Sequence, residues 1–340
     1  DSTRRENFLE AWSLSRNASQ GGKPQVDIVE AIADPNTGEL VYLRLDDMDM
    51  RTEERFDVLK SEFTQYTLEV EHDFSDTVRF KGVAGRSKSE FGNPMQVNAI
   101  IDHQDGDGWS IDFRDDRNLP KIVYGFDVTD PNQWRITGPA GAQPVSELRI
   151  LSSEQSNTYT TVEGSFEFDI DDRMTFKVGA SYKEYQSDGS GYARQTNAAP
   201  AMPAGSTIGS LTYLLDGFGK NLDLPAGSAT AWISPNLDAI VKAYGAACLC
   251  NTGVPGGDFR LLGLENGSTA LGNWRDVTEK DTGLWAQMDW NTEWASMPVR
   301  GNFGARWVNT EVEAAGYSAL NGVTTRVSGA NTYDDIRPSL

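Results

Sequence analysis

Histidine and cysteine are nearly absent, with two copies of each in 340 residues. Two cysteines exclude a disulfide framework or a cysteine-rich zinc site, and two histidines leave little room for imidazole catalysis or a multi-histidine metal centre. Basic residues are short as well: thirty against fifty acidic ones give a net charge of −20. That balance excludes a nucleic-acid binder driven by phosphate neutralisation. No run of ten purely apolar residues occurs, so there is neither a transmembrane helix nor a signal-peptide core. Catalytic signatures are missing too: no Gly-x-Ser-x-Gly, no Gly-x-Gly-x-x-Gly after a strand, no phosphate-binding loop, no His-Glu-x-x-His. The length suits two average domains or one large β-structure. These absences alone describe an acidic soluble protein with no enzymatic role and no cofactor.

What is present is alternation. From Val162 to Ile170 the even positions are Val162, Gly164, Phe166, Phe168 and Ile170, and the odd ones Glu163, Ser165, Glu167 and Asp169. After an Asp-rich turn the pattern resumes with Met174, Phe176, Val178, Ala180 and Tyr182 against Thr175, Lys177, Ser181 and Lys183. A strand puts each set on one face, whereas a helix would scatter both. The same unit occurs 96 residues earlier, with Tyr66, Leu68, Val70 and Phe74, then Val78, Phe80, Gly82 and Ala84. A third hairpin carries Leu284, Ala286, Met288, Trp290 and Trp294, then Val299, Gly301, Phe303, Ala305 and Trp307. Hairpins are therefore expected over about 63–86, 158–184 and 282–309.

Register follows from parity, because a one-residue slip would invert a face. Pairing Phe74 with Val78 sets Asp73 opposite Arg79 and Glu71 opposite Lys81. Pairing Ile170 with Met174 sets Glu167 opposite Lys177. Pairing Trp294 with Val299 sets Glu293 opposite Arg300 and Trp290 opposite Phe303. Opposite charges meet each time on the polar face, and each such pair is worth about 0.2–1 kcal/mol.

Alternation alone fits a soluble sandwich with its apolar face inward, or a transmembrane barrel with that face toward lipid. Three features favour the barrel. Short turns alternate with long excursions, about 87–157 and 187–281, that a sandwich seldom needs. The apolar stretches span about nine to eleven residues, the length of a tilted strand in a bilayer. Aromatics cluster near strand ends (Tyr66, Phe74, Tyr182, Trp294, Trp307), as an interfacial girdle requires. The opening at Asp1 and the closing Tyr333-Asp-Asp-Ile-Arg-Pro-Ser-Leu340 read as parts of a longer polypeptide.

The stretch Glu279-Lys-Asp-Thr-Gly-Leu-Trp-Ala-Gln-Met-Asp-Trp290, with Met297-Pro-Val-Arg-Gly-Asn-Phe-Gly-Ala-Arg-Trp-Val-Asn-Thr-Glu311 and the Tyr333–Leu340 segment, resembles the barrel of TonB-dependent outer-membrane receptors of the alphaproteobacterial type. Arg4-Arg5-Glu6-Asn7, the 63–88 hairpin and Tyr124-Gly-Phe-Asp-Val-Thr-Asp-Pro131 fit the same type. The resemblance implies an internal segment, of about eight to ten strands, of an antiparallel transmembrane β-barrel in the bacterial outer membrane, with its long loops extracellular. It implies energy-coupled uptake of a scarce nutrient, a ferric chelate, an oligosaccharide or similar. The partners it implies are outer-membrane lipid, that ligand, and the TonB complex reached through a plug domain. Neither plug nor TonB box is recognisable in this sequence.

On this reading Glu69, Glu71, Lys81, Glu163, Glu167, Lys177, Arg300 and Arg306 line the lumen, pairing across strands. Loop aromatics Trp109, Trp134 and Tyr192 are candidates for stacking on a sugar or an aromatic chelator. Asp105 and Asp107 lie in a Gly-bearing acidic loop that suggests a cation, but the EF-hand template fails because Arg114 stands where an acid is needed. His103 in that loop reads as a solvated residue, and His72 as an outward, bilayer-edge one. Ser234 as N-cap, Pro235 at the first helical position and the spacing of Leu237, Ile240, Val241 and Tyr244 predict a short helix. Cys248 and Cys250 allow a local disulfide or two free thiols. Two rival readings stay open: a secreted acidic β-protein with a binding or adhesion role, and a receptor-derived fragment that assembles with other copies through open strand edges.

Overall fold

The computed structural model describes residues 1–12, 26–136, 146–264, 270–320 and 323–339. In chain order the strands are β1 (Ser2–Trp12), β2 (Asp27–Ala33), β3 (Leu40–Asp46), β4 (Met48–Ser75), β5 (Val78–Gly106), β6 (Trp109–Asp112), β7 (Lys121–Val123), β8 (Glu147–Asp171), β9 (Met174–Arg194), β10 (Thr212–Asp216), β11 (Ala231–Pro235), β12 (Leu261–Leu262), β13 (Arg275–Trp294), β14 (Met297–Leu320) and β15 (Val323–Ser339). Among the described residues one α-helix, α1 (Leu237–Tyr244), follows β11. The chain is all-β and antiparallel. Its main sheet runs β1-β4-β5-β8-β9-β13-β14-β15, with β12 beside β9. The order is open, ending at β1 and β15. β2-β3-β6-β7 and β10-β11 form two smaller sheets.

The long strands of the main sheet far exceed the apolar stretches that announced them. β4 has 28 residues and β5 has 29, about 90 Å or more at roughly 3.3 Å per residue. Both expected excursions are therefore shorter than the sequence suggested. β5 continues to Gly106 and β8 begins at Glu147, while β9 continues to Arg194 and β13 begins at Arg275. The extensions open with polar stretches next to the alternating segments and turn apolar again farther on, at Val97, Ala99 and Ile101 of β5 and Leu148 and Ile150 of β8.

The first two registers match expectation along their strands: Asp73 lies opposite Arg79, Glu71 opposite Lys81, and Glu167 opposite Lys177. Phe74 and Ile170 fall at irregularities beside the turns, where Ser75 meets Val78 and Asp171 meets Met174. The third register is corrected by two residues. Trp294 pairs with Met297, so Glu293 faces Pro298, Arg300 faces Asn291 and Trp290 faces Gly301. The reason is the turn: Ala295 and Ser296 both take positive φ, 53° and 61°, forming the two-residue turn whose twist suits a hairpin. Parity is unchanged, so the faces stand as expected.

One face of the main sheet changes character along its length. Near the turns it is bare: Tyr66, Leu68, Phe74, Val162, Ile170, Leu284 and Phe303 are all exposed, and Trp294 is 77% exposed. Further up, the same face is covered. Leu148 and Ile150 on β8, in phase with Val162, lie under Leu237, Ile240 and Tyr244 of α1. Met48 and Met50 on β4, in phase with Tyr66, join Leu45, Trp109, Trp134 and Trp232 in a second cluster. β5 reaches both clusters through a bulge at Asn93–Met95, where it carries one more residue than either neighbour. Pro94 is tolerated there because a bulge frees its position from the ladder. Below the bulge the even residues of β5 share the bare face; above it Val97, Ala99 and Ile101 do.

The helix has the expected apolar stripe but a different cap. Asn236 accepts from the Ala239 amide, and Gly245 ends the helix at φ 66°. Ser234 and Pro235 close β11, so the cap lies two residues later than its sequence signature.

Candidate functional site

The bare face carries a continuous apolar band. Phe74, Phe80, Phe166, Phe168 and Phe176 form a chain of ring contacts across β4, β5, β8 and β9, with centroids 5.0–6.3 Å apart. Tyr66, Tyr182 and Trp307 mark its upper border. Small residues (Gly82, Ala84, Gly164, Ala180, Ala286, Ala305) occupy the middle. His72 lies in this band, 4.5 Å edge-on from Phe74.

The band runs obliquely to the hydrogen-bonded rows. The row through Tyr66 on β4 passes to Arg86, Thr160, Glu184, Lys280 and Glu311, leaving the apolar set at once. The row through Trp307 on β14 leads back through Leu284, Ala180, Gly164 and Gly82 to Val70, in mid-band on β4. The hairpin turns step the same way. The row of Val78, beside the first turn, reaches Met288, six residues before Trp294 on β13. From Tyr66 to Trp307 the border drifts by four residues over five strand steps, about 0.8 residue per strand. With strands roughly 4.8 Å apart and 3.3 Å per residue, that corresponds to a strand tilt of roughly 30° to the band.

The opposite face holds all eight charges expected on it. Their pairing is partly different from the hairpin assignment, because an inner strand has two flanks. Arg79 reaches Asp169 at 2.6 Å and Glu167 at 3.4 Å on β8 rather than Asp73 on β4. Lys81 approaches Glu167 at 3.9 Å, and Lys177 bridges Glu167 at 3.8 Å and Asp289 at 2.8 Å. Signs thus alternate across β5, β8, β9 and β13. Glu163 pairs with Lys183 at 2.9 Å. Glu69 and Glu71 stand beside Lys81 and Glu163 around Trp285. Arg300 and Asp289 line a polar hollow at the turn end, and Arg306 is exposed.

The aromatic candidates are not gathered at one place. Trp109 and Trp134 are buried in the second core cluster, and the Trp134 indole N–H donates to the Val128 carbonyl. Both rings are used by the fold, which corrects their assignment as ligand platforms. Tyr192 is exposed, edge-on to Trp274 at 5.4 Å, and sits in phase with the apolar band rather than with the charges. His103 is not a solvated loop residue: its ring stacks on Phe126 at 3.5 Å, and burial lowers its pKa. Asp105 and Asp107 serve a tight connection, where Asp107 accepts from the Asp47 amide and the Asp105 amide donates to Asp49. Among the described residues no group of three or more His, Cys, Asp or Glu side chains is placed to hold a metal. Cys248 and Cys250 are joined by a disulfide.

Buried polar side chains near the covered end were not found from the sequence. Asp57 accepts from Arg55 at 2.8 Å, Asn93 at 2.8 Å and Arg4 at 3.1 Å. Burial pushes its pKa up, but these donors outweigh that and leave it lowered. Glu54 accepts from Arg5 and from the Leu237 amide at the start of α1. Asp102, 1% exposed and accepting from Ser146 at 2.5 Å, is driven by desolvation up to about 6. Arg194 donates to the Asp258, Leu148, Ala198 and Gly256 carbonyls and lies over Phe259. The one sequence signal for Arg194 was its parity, which places a charge on the apolar-face register. Comparison of the chain with protein-family models, with curated proteins and with solved structures finds no match.

Proposed function

We propose that this chain is a transmembrane β-barrel segment of a TonB-dependent outer-membrane receptor, taking part in energy-coupled import of a scarce nutrient. The observation that carries the membrane half is the oblique apolar band. A soluble sheet has no reason to border its apolar residues by a plane tilted against its hydrogen bonds. Strands crossing a bilayer at 35–45° do, because the hydrocarbon slab is flat while the strands are not perpendicular to it. Aromatic borders above and below a middle of small residues support the same reading. Alternating charges on the other face suit a wet lumen, where each carboxylate finds both a cation and water. The receptor half rests on the strand motifs over 279–340.

Single cysteines placed along 160–169, labelled with an environment-sensitive fluorophore in lipid vesicles, test the membrane half. Even positions are expected to report an apolar surrounding and odd ones water. A flat profile, or a chain soluble at high concentration without detergent, would overturn it. A plug domain and TonB box encoded in the same gene would support the receptor half, and a gene lacking both would remove it.

A further inference from the structure

Aromatic side chains are out of place on a charged face, yet three stand together there. Phe63 on β4, Tyr159 on β8 and Tyr185 on β9 share the phase of Glu163 and Lys177, and lie just above the level of the apolar band. They line a trough of about 490 Å³. Tyr159 and Tyr185 stack with centroids 4.6 Å apart, and Phe63 is 64% exposed. Between Phe63 and Tyr159 runs β5, which offers only Ser87 and Ser89 at this level. Two ring-bearing strands thus flank a floor of small hydroxyls, about 9.6 Å apart at twice the strand spacing, and the rings stand diagonally across it: Phe63 is in the row of Ser89 and Tyr159 in the row of Ser87, roughly 6.6 Å along the strand. After the thickness of the rings is allowed for, that leaves space for one flat ring.

The chemistry of the lining selects among ligands. It has apolar ring faces and phenol edges, the neutral hydrogen-bonding groups of Ser87, Ser89, Asn157 and Ser187, and the carboxylates Glu279 and Asp281. No lysine or arginine lines it, and Lys183, close to Tyr159 and Tyr185, is held by Glu163 at 2.9 Å, so an anionic ferric chelate would meet the carboxylates with no free counter-charge. Asp281 is already engaged by the Thr310 hydroxyl at 2.6 Å, which weakens the case for a small cation. A pyranose has what fits: an apolar C–H face for the aromatic walls and a rim of hydroxyls for acceptors and donors. We propose that this trough binds a neutral sugar ring between Phe63 and Tyr159. The assignment names the substrate class of the import reading and rests on that reading's placement of this face in the lumen.

The test is calorimetric titration of the full chain, in a polyoxyethylene detergent free of sugar and choline groups, with maltotriose, cellotriose, xylotriose, choline and a ferric tricatecholate. At least one trisaccharide is expected to bind. Phe63→Ala and Tyr159→Ala should each weaken it about tenfold or more, as truncation of a central aromatic anchor does. Tyr159→Phe should retain most of the affinity, and Leu68→Ala on the opposite face should leave it unchanged. Failure of every trisaccharide, unchanged affinity in both alanine variants with retained β-sheet circular dichroism, or preference for choline or the ferric chelate overturns the proposal. Fluorophore alternation along 160–169 without sugar binding removes the site and spares the barrel; sugar binding with a flat profile removes the barrel and spares the trough.

Discussion

Single residues at the covered end decide how the sheet is closed off. Asp102 is buried beside Arg51, Asp49 and Glu147, and desolvation raises its pKa from the usual 3.8 to about 6. A folded-state pKa above the unfolded one means the native chain holds a proton that the unfolded chain releases. The resulting stability is present below about pH 4 and is lost as pH rises to about 6. The loss is on the order of 3 kcal/mol at most. Asp102→Asn should flatten that part of the stability–pH curve relative to the parent, as measured by denaturant unfolding at pH 4 and pH 7. An unchanged pH slope would show that Asp102 does not titrate in this window. Gly179 makes a second case: a Cβ there would stand 2.6 Å from the Trp285 ring. Gly179→Val should displace the indole and cost about 1–3 kcal/mol, read as a lower unfolding midpoint with a shifted tryptophan emission.

At the level of elements, legibility followed the alternation. Where it was strict, as in Val162–Ile170, faces and register were readable, because each error of one residue would have exposed a charge to the wrong side. Parity cannot separate registers that differ by two, and the third hairpin shows this: Glu293 with Arg300 looked as good as the actual pairing of Glu293 with Pro298. What decided it was backbone conformation at Ala295 and Ser296, residues that carry no turn signature. Their positive φ values cost on the order of 1 kcal/mol or more each relative to residues suited to that region. Replacing them with Asn-Gly should therefore stabilise the hairpin by about 1 kcal/mol without moving Trp294 from Met297, as checked by the unfolding midpoint and by cross-strand proximity of the two residues. The strand extensions were not legible, because their apolar residues, Val97, Ala99 and Ile101 on β5 and Leu148 and Ile150 on β8, are cut off from the alternating segments by polar stretches and, on β5, by the phase change at the bulge. Trp109 and Trp134 misled for the related reason that an aromatic in an acidic segment reads as exposed until its packing partners, Val128 and Trp232 among them, are known. The eight charges were read correctly as sharing one face of the sheet, but not pair by pair, because sequence proximity ranks the hairpin partner above the flanking strand.

On the scale of the whole molecule, the sheet divides into a protein-covered upper body and a bare lower band. In bilayer-reconstituted chain, Phe166→Arg at mid-band should cost about 2–4 kcal/mol, whereas Ser165→Arg on the charged face should cost far less. Equal costs for the two would mean that the band faces water like its opposite side. The −20 charge is consistent with this division: in the described sheet the carboxylates near the turns concentrate on one face, leaving the other nearly free of them.

The bulge at Asn93–Met95 sets the phase between those two halves. β5 is written in two reading frames, even residues below and odd residues above, with Pro94 at the junction. Removing one residue there would do more than shorten the strand. It would turn every side chain above it by half a rotation, sending Val97, Ala99 and Ile101 to the charged side, Asn98 beneath α1 and Asp102 into the cluster of Met50, Trp109 and Trp134, while Val78–Gly92 kept their places. The junction lets each half of the strand evolve its own pattern, and a frameshift of one position is the single small change that sets them against each other.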